Sequence, residues 1–534
     1  MASAAELKIV ENRASSVGRL FYDRVAKSGT REAFRYPDAA EQWHSMSWAE
    51  TGTKVTKIAA GLISLGIQAE ERVAIAAGTR IEWILADLAV NAAGAATTTV
   101  YPSTLADDVS YILSDSDSQI VFAEDDEQIE KLRQKRSELP SVKKVVTFDG
   151  ATDGDWVISL DDLIALGEEL LATNPNVVQE RVDATGPESL ATLIYTSGTT
   201  GRPKGAELTH SNIHLNAMRS AQVIQQMTTE DVVMGCLPLF HVFGLVVGLN
   251  AATIAGASLA LIPRFDPAAA IEVIEKERVT IMQGVPTMYA AILNHPASDG
   301  MDASSLRTCA SGGSAMPLEV MRSFEEKFGC MILEGYGLSE TSPVASFNMP
   351  TMERKPGTIG VAIPGCEMRC VDLDGNEVPV GEVGEIAIRG DNVMKGYWNK
   401  PEATAEAIPD GWFRTGDLAT MDAEGYFTIV DRKKDMILRG GMNVYPREVE
   451  ECIYEHPDVL EVAVVGIPDE LYGEQVGAAV ALREGSTATP EDIIDFAKER
   501  IAAYKYPRQV WVVSELPKGP TGKILRRGVH APAG

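Results

Sequence analysis

The chain has 534 residues, of which 45% are hydrophobic and 23% are charged, and its formal net charge at pH 7 is −28. These values are typical of a folded globular protein and exclude disordered and collagen-like chains, and the length predicts roughly two to four lobes. The negative charge argues against a nucleic acid or an anionic membrane as the general partner, because both are polyanions.

The cysteines and the N-terminus indicate where the protein acts. Six cysteines are spread along the chain without a C-x-x-C pair, which argues against a disulfide scaffold and favours a reducing compartment. Residues 1–16 carry charges where a signal peptide needs an apolar run. We therefore expect a cytoplasmic protein.

Short apolar runs alternate with helix-like stretches in the first half of the chain. Runs at residues 73–76, 120–123 and 145–148 predict strands, and residues 47–65 and 268–277 predict helices. Continuous apolar runs of this length are typical of parallel strands that are buried on both faces. The pattern predicts an α/β protein.

One apolar segment is long enough to span a membrane. Residues 242–262 hold no charge, so length alone permits a transmembrane helix. The segment also contains three glycines, Asn250, Thr253 and Ser258, and it runs into Pro263. We expect a buried helix and strand with no transmembrane segment, and we leave peripheral contact with a membrane open.

From about residue 365 the pattern changes to short strands joined by tight turns. Residues 368–373, 384–389 and 426–430 predict a small antiparallel unit. A further β/α unit follows, with strands at 459–466, 476–482 and 510–513 and a helix at 490–503. The sequence therefore predicts a change of architecture in its last third.

Residues 196–205, TSGTTGRPKG, follow the apolar run 190–195. Three glycines allow backbone N–H groups to approach an anion closely, four hydroxyls add donors, and Lys204 adds a positive charge. The string differs from the G-x-x-x-x-G-K-[ST] loop because Gly205 follows the lysine. It predicts a loop that binds nucleotide phosphates at the end of a strand.

This loop resembles the signature of the adenylate-forming superfamily, which includes acyl-CoA synthetases, firefly luciferase and the adenylation domains of peptide synthetases. Five further strings resemble the family's other motifs and occur in the family's order, namely GGSAMP at 312–317, YGLSET at 336–341, WFRTGD at 412–417, DRKKD at 431–435 and PKGPTGK at 517–523. The resemblance covers about residues 15 to 527, and the sequence looks most like the bacterial medium- to long-chain fatty acyl-CoA synthetases.

The resemblance implies an α/β fold with two domains. A large N-terminal domain, residues 1–431, would contain stacked α/β sheets and a small β-barrel-like subdomain at about 365–431. A hinge at 432–436 would lead to a small, mobile α+β domain at 437–534. Similarity to the family leaves open whether the protein is a monomer or a homodimer.

The resemblance also implies ATP, Mg²⁺ and CoA as cofactors or co-substrates. A carboxylate would attack the α-phosphate of ATP, so the site must neutralise two anions that meet. Glu340 and Thr196 would hold Mg²⁺, Thr341 would donate to the α-phosphate, and Lys523 would bridge the two reactants. The remaining nucleotide contacts implied by the motifs are Ser197, Gly198, Thr199, Thr200, Lys204, Gly313, Ser314, Tyr336, Gly337, Asp417 and Arg432.

The family's second step transfers the acyl group to the thiol of CoA after the small domain rotates. By motif position, the pivot would be Lys434, and Gly440 and Gly441 would line the path of the thin pantetheine arm. Adjacent glycines suit the close passage of such a chain.

His241 and the segment after it would form the acyl side of the site. The resemblance places His241 at the mouth of the acyl pocket, although a histidine that caps the start of a helix fits the sequence nearly as well. Relatives that adenylate amino acids carry an aspartate at this position, so a histidine favours an uncharged, apolar acid. Phe243, Leu245, Gly312 and Gly335 would line the pocket.

These features favour a fatty acyl-CoA synthetase and leave three alternatives. An aryl-acid CoA ligase and a fatty acyl-AMP ligase that loads a separate carrier protein share the same motifs. A nucleotide-binding regulator with a degenerate site is disfavoured, because Lys204, Glu340, Asp417, Arg432 and Lys523 are all present.

Overall fold

The computed structural model describes residue 10, residues 13–196 and residues 202–532. The strands up to the antiparallel unit are β1 (Glu32–Pro37), β2 (Trp43–Ser47), β3 (Arg72–Ala76), β4 (Ala96–Val100), β5 (Ser118–Ala123), β6 (Lys144–Thr147), β7 (Val157–Ser159), β8 (Leu190–Thr196), β9 (Lys204–Thr209), β10 (Val232–Gly235), β11 (Ser258–Leu261), β12 (Ile281–Gly284), β13 (Thr308–Ser311), β14 (Ile332–Gly337), β15 (Val344–Phe347) and β16 (Val361–Ala362). The later strands are β17 (Cys366–Val371), β18 (Gly384–Gly390), β19 (Gly396–Tyr397), β20 (Phe413–Met421), β21 (Phe427–Arg432), β22 (Ile437–Arg439), β23 (Met442–Val444), β24 (Val459–Asp469), β25 (Gly473–Leu482) and β26 (Gln509–Val513).

The helices are α1 (Val17–Ser28), α2 (Trp48–Ser64), α3 (Ile81–Ala92), α4 (Ala106–Asp115), α5 (Asp126–Gln134), α6 (Leu160–Thr173), α7 (Val177–Ala184), α8 (His210–Arg219), α9 (Ala251–Ala255), α10 (Pro267–Lys276), α11 (Pro286–Asn294), α12 (Leu318–Phe328), α13 (Pro401–Ala407), α14 (Pro446–Tyr454) and α15 (Pro490–Lys498). Ser47 and Glu50 form a capping box at the start of α2, and Thr209 and Asn212 form one at the start of α8. Such boxes satisfy backbone N–H groups that have no partner inside the helix.

Two large sheets dominate the N-terminal part of the molecule. One has the strand order β19-β9-β8-β4-β3-β5-β6-β7, and the other has the order β16-β15-β14-β13-β12-β10-β11-β1-β2. Strands β3 to β8 are parallel to one another, and so are β10 to β14. This confirms the predicted α/β fold.

Helix α2 packs against α6 at a crossing that depends on two glycines. A Cβ on Gly61 would lie 2.2 Å from the carbonyl oxygen of Leu163, and one on Gly167 would lie 1.9 Å from that of Lys57. These distances are too short for any side chain, so the glycines let the two helix backbones touch.

The apolar segment after residue 242 is buried inside the protein. Residues Phe243–Asn250 form a π-helix, and α9 and β11 follow it, so the prediction of a helix and a strand is confirmed. The side-chain amides of Gln283 and Asn250 donate to the carbonyls of Val247 and Leu245 at 2.7 Å and 2.9 Å. These bonds satisfy carbonyls in a helix of irregular geometry.

Two smaller sheets form the last third of the chain. Strands β17, β18, β20 and β21 make an antiparallel sheet, as the sequence predicts. Strands β22 to β26 make a mixed sheet that packs against α14 and α15. Helix α15 is shorter than predicted and ends at Lys498. Among the described residues, no helix has both the length and the apolar character needed to cross a membrane.

Candidate active site

The carboxyl ends of the parallel strands gather most of the predicted site residues. Strand β8 leads into the phosphate loop, β13 leads to Gly312 and Gly313, and β14 ends at Gly337. Ligand sites in α/β proteins form at this edge of the sheet, because the loops leave there and their backbone groups are free to bind. Ser197, Gly198, Thr199 and Thr200 lie outside the described residues, so their predicted phosphate contacts stay predictions.

The structure brings Glu340 and Thr196 together. The Thr196 hydroxyl donates to Oε1 of Glu340 at 3.3 Å, and the Tyr397 hydroxyl donates to the same oxygen at 2.9 Å. The Glu340 side chain is nearly buried. Tyr397 is not among the residues that the sequence analysis picked out.

These oxygens suit a magnesium ion. The described residues hold no group of three or more acidic, histidine or cysteine side chains that could bind a metal. Mg²⁺ often binds to one or two protein oxygens together with substrate phosphates, so one carboxylate and one hydroxyl fit it. Thr196 and Glu340 would hold the ion, which when bound would neutralise charge between phosphate oxygens.

Thr341 follows Glu340 in a tight turn and is fully buried. Its hydroxyl hydrogen-bonds with the backbone N–H of Leu338 at 2.9 Å and donates to the carbonyl of Pro343. These contacts hold the turn that carries Glu340, and the predicted contact of Thr341 with the α-phosphate stays a prediction.

Asp417 is buried and contacts the half-buried Tyr336 and the exposed side chain of Arg432. Strands β20 and β21 pair Asp417 with Arg432, whose Nε lies 3.3 Å from Oδ1 of the carboxylate. The Tyr336 hydroxyl donates to Oδ2 at 2.5 Å. Burial raises the pKa of Asp417, and Arg432 and Tyr336 oppose that rise. Both partners favour the ionised carboxylate, and its predicted hydrogen bonds with a ribose stay a prediction.

Lys523 reaches this group from the C-terminal part of the chain. A Cβ built on Gly313 would lie 2.9 Å from its Nζ, so the ammonium lies directly over Gly313. Thr287 at the start of α11 donates to the carbonyl of Gly522 at 2.8 Å and holds the loop in place. Burial lowers the pKa of Lys523 to about 8; Arg432 adds to the fall, and Asp417 opposes it.

His241 lies at the start of the π-helix and near Lys523. Its Nδ1 accepts a hydrogen bond from the backbone N–H of Phe243 at 3.2 Å, as the helix-capping interpretation predicts. Burial lowers the pKa of His241 to about 3, and the charge of Lys523 contributes. The imidazole is therefore neutral at physiological pH.

The predicted acyl-pocket residues lie beside aromatic rings. A Cβ on Gly312 would lie 3.3 Å from the ring of Phe243, and a Cβ on Gly335 would lie 2.1 Å from the ring of Phe347. Leu245 is buried in the core. The rings of Phe243 and Phe347 therefore occupy the space next to these two glycines.

Three predicted residues lie away from this cluster. Lys434 is exposed on the connection between β21 and β22, and Gly440 and Gly441 form the exposed turn between β22 and β23. Ser314 differs from these three, because it is exposed but adjacent to Gly313, which lies in the cluster. The roles of Lys434, Gly440 and Gly441 in rotation and CoA binding stay predictions.

Sequence reasoning missed the residues that hold the site together. Tyr397 contacts Glu340 from the two-residue strand β19, and Thr287 holds the loop of Lys523. Arg526 binds Asp431 and Glu450 at 2.9 Å and 2.6 Å. The only signal for Tyr397 is its place in the string GYW at 396–398, which has no meaning until the strand pairing is known.

Comparisons with known proteins agree with this geometry. Residues 21–398 match the family described as AMP-binding enzyme, and residues 448–523 match the AMP-binding enzyme C-terminal domain. A long-chain-fatty-acid–CoA ligase of Bacillus subtilis (strain 168) is 45% identical over 340 residues, which cover 63% of this chain and 61% of that relative.

Two further relatives match over nearly the whole chain. A putative acyl-CoA synthetase of Bacillus subtilis (strain 168) is 35% identical over 533 residues, and the match covers 96% of each chain. The crystal structure of the anthranilate CoA ligase AuaEII in complex with anthranoyl-AMP is 27% identical, with a TM-score of 0.87 and 97% of each chain covered. The chain therefore belongs to the AMP-binding enzyme family, the adenylate-forming superfamily that its six motifs resemble.

Proposed function

We propose that the protein is an ATP-dependent, AMP-forming acid–CoA ligase whose preferred acid is a medium- to long-chain fatty acid. The observation that carries the proposal is the position of Lys523. Its ammonium lies over Gly313. The charges of Asp417 and Arg432 shift the pKa of Lys523, and the charge of Lys523 shifts the pKa of His241. A half-buried cation at this point suits a reaction in which two anions must meet.

In the first step, a carboxylate oxygen of the acid attacks the α-phosphorus of ATP. A P–O bond forms, the bond to the β-phosphate oxygen breaks, and pyrophosphate leaves, so the product is an acyl-adenylate. Lys523 would pair with the carboxylate and the α-phosphate, and Lys204 with the leaving phosphates. Asp417 would accept hydrogen bonds from the ribose. The adenine ring would bind next to it, at Tyr336, Gly337, Gly313 and Ser314.

In the second step, the sulfur of CoA attacks the acyl carbon, the C–O bond to AMP breaks, and the thiol proton is released. We propose that the division predicted from sequence applies, with a domain at 1–431, a hinge at 432–436 and a mobile domain at 437–534. Rotation about Lys434 would remove Lys523 from the site and bring Gly440 and Gly441 to it.

The residues on the acyl side of the site favour an acid whose acyl group is uncharged. His241 is neutral because its pKa is lowered to about 3, and the π-helix Phe243–Asn250 beside it is buried and apolar except for Asn250. A substrate with an ammonium group would find no partner in that helix. The name of the long-chain-fatty-acid–CoA ligase that is 45% identical over 340 residues also supports a fatty acid.

An aryl acid is the second candidate, and one observation favours it. Phe243 and Phe347 lie against the positions of Gly312 and Gly335, and rings stack well on a flat substrate. The structural relative with anthranoyl-AMP acts on such an acid. A ligase that loads a carrier protein in place of CoA would use the same residues.

A substrate panel tests these proposals. We expect AMP release with ATP, CoA and saturated acids of medium to long chain, at rates well above those with benzoate or cinnamate. A preference for the aromatic acids would establish the second candidate. Transfer to a phosphopantetheine-loaded carrier protein without transfer to CoA would establish the third. A lack of AMP release with every acid would refute the proposal.

A further inference from the structure

Tyr397 lies beside the strand that leaves the phosphate loop. The two-residue strand β19 pairs antiparallel with β9, and Tyr397 is opposite Ala206. The backbone N–H of Trp398 donates to the carbonyl of Gly205 at 2.8 Å, and that of Lys395 donates to Glu207 at 3.0 Å. The backbone of Tyr397 is therefore fixed relative to Lys204, the first residue of β9.

The same segment holds Glu340 in two ways. The backbone N–H of Met394 donates to the Glu340 carbonyl at 2.8 Å, and the Tyr397 hydroxyl donates to Oε1 of its side chain at 2.9 Å. The second donor to the side chain is Thr196, which also meets Oε1. Both hydrogen bonds that the described residues give to this carboxylate thus end on one oxygen.

The ring of Tyr397 makes a third contact. The Nζ of Lys204 lies 5.0 Å from the ring centroid, a distance at which an aromatic face attracts a cation. One side chain therefore contacts the predicted magnesium carboxylate with its hydroxyl and the phosphate-loop lysine with its ring.

We propose that Tyr397 is a positioning residue for the magnesium–ATP complex. Its hydroxyl occupies Oε1 of Glu340 and would leave Oε2 for the ion, and its ring would hold Lys204 where that lysine could meet the phosphates. This inference rests on the proposed function, because it assigns Tyr397 a part in binding the first substrate.

The role predicts a specific coupling between metal and nucleotide. Tyr397→Phe keeps the ring near Lys204 and removes only the hydroxyl. The test is to measure the affinity for ATP by calorimetry, once with saturating Mg²⁺ and once with EDTA. Because it measures binding alone, it does not require the enzyme to turn over. In the wild type, Mg²⁺ should increase the affinity for ATP. In Tyr397→Phe the factor of this increase should be about tenfold smaller, because a hydrogen bond to a charged group is lost.

A control variant and a second readout separate positioning from loss of fold. Tyr22→Phe also removes a hydroxyl that is bonded to a side chain, that of Thr56 at 2.8 Å, and it should leave the increase in ATP affinity with Mg²⁺ unchanged. Thioester formation from supplied acyl-adenylate and CoA uses no triphosphate, so Tyr397→Phe should keep the wild-type rate.

The outcomes distinguish this inference from the proposed function. An undiminished magnesium effect in Tyr397→Phe overturns the positioning role, whatever the enzyme's acid. An equal loss in both half-reactions also overturns it, because it indicates a general structural role. Wild-type protein that binds ATP but activates no acid refutes the ligase proposal alone, and wild-type protein that binds no ATP refutes both.

Discussion

At the scale of single residues, the candidate site contains a few basic side chains in an otherwise acidic protein. The net charge of −28 would repel ATP at long range. Lys204, Arg432 and Lys523 would reverse that sign locally if they contact ATP as we propose. The pKa of Lys523 is lowered to about 8, since burial and Arg432 both disfavour its charge. Its ammonium is therefore sensitive to pH.

The first prediction concerns that sensitivity. A pKa of about 8 means that Lys523 is mostly protonated below pH 8 and loses its charge as the pH rises through 8. If the ammonium bridges the two anions, kcat/KM for adenylation should fall above about pH 8, because this parameter reports the free enzyme. ATP–pyrophosphate exchange without CoA measures the step and avoids titration of the thiol.

Two lysine variants check the assignment. Lys523→Arg keeps its charge to far higher pH, so the alkaline fall should move up by more than one pH unit, at a lower absolute rate. Lys518→Arg changes a lysine of the same loop that pairs with Glu461 at 2.8 Å, and it should keep the wild-type profile. An unmoved profile in Lys523→Arg would assign the titration to another group.

The proximity of site residues was predictable where family motifs contain them. Glu340 and Thr196, 144 positions apart, meet in space as their predicted metal role requires. Tyr397 was not predictable, because its role depends on the pairing of β19 with β9 and on no local pattern. The contact of Phe347 with Gly335 was hidden for the same reason, since it joins two strands of a sheet whose register the sequence does not state.

At the scale of elements, a cluster of ion pairs around the buried Asp431 holds the segment that follows Lys523. Arg526 lies three residues after that lysine and binds Asp431 of β21 and Glu450 of α14. Asp431 also accepts a hydrogen bond from the N–H of Arg447, where α14 begins, at 2.9 Å. Burial disfavours the charge of Arg526, yet Glu450 and Asp431 raise its pKa. The cluster thus joins β21 to α14 and to the segment that follows Lys523.

The second prediction follows from this cluster. Arg526→Gln removes the cation and leaves Asp431, which is 3% exposed, without its ion pair. Breaking a buried pair is strongly destabilising, so the position of Lys523 should weaken and adenylation should fall about tenfold or more, equivalent to about 1.4 kcal/mol. Thioester formation from supplied acyl-adenylate should change little, because Lys523 has no part in it.

Arg527→Gln is the matched control for this experiment. Arg527 is the next residue, carries the same charge and is exposed. It should leave both half-reactions near wild type. If Arg526→Gln slowed the two steps equally, the cluster would serve stability in general and not the adenylation arrangement.

The sequence predicted most elements and missed those that depend on long-range pairing. The strands at β3, β5, β6, β24 and β25 were predicted to within a few residues from their apolar runs. The hairpin of β1 and β2 was missed, because its second strand is mostly exposed and lacks an apolar run. The irregular helix Phe243–Asn250 receives a hydrogen bond from Gln283, which is distant in sequence, so its form could not be predicted from the local pattern.

At the scale of the whole molecule, Lys523 connects the C-terminal sheet to the nucleotide edge of the large sheets. The contacts of Thr287 with Gly522 and of Asp431 with Arg526 stabilise this arrangement. The second half-reaction uses a thiol and needs no such lysine at the site. If the small domain rotates between the two steps, as we propose, these contacts would break in each cycle. The exposed connection at Lys434 is where the backbone could turn.

The last prediction tests that turn. The N–H of Lys433 donates to Gly416 at 2.9 Å and fixes the near side of the connection. Lys434→Pro locks φ near −65° and restricts Lys433 as well, so rotation should be hindered. Adenylation should keep more than half of its rate, and thioester formation should fall about tenfold or more. Lys434→Ala removes the charge but keeps the backbone free and should support both steps. Rapid thioester formation by Lys434→Pro would show that the protein does not turn at this residue, and equal losses in both variants would assign the effect to the lysine's charge.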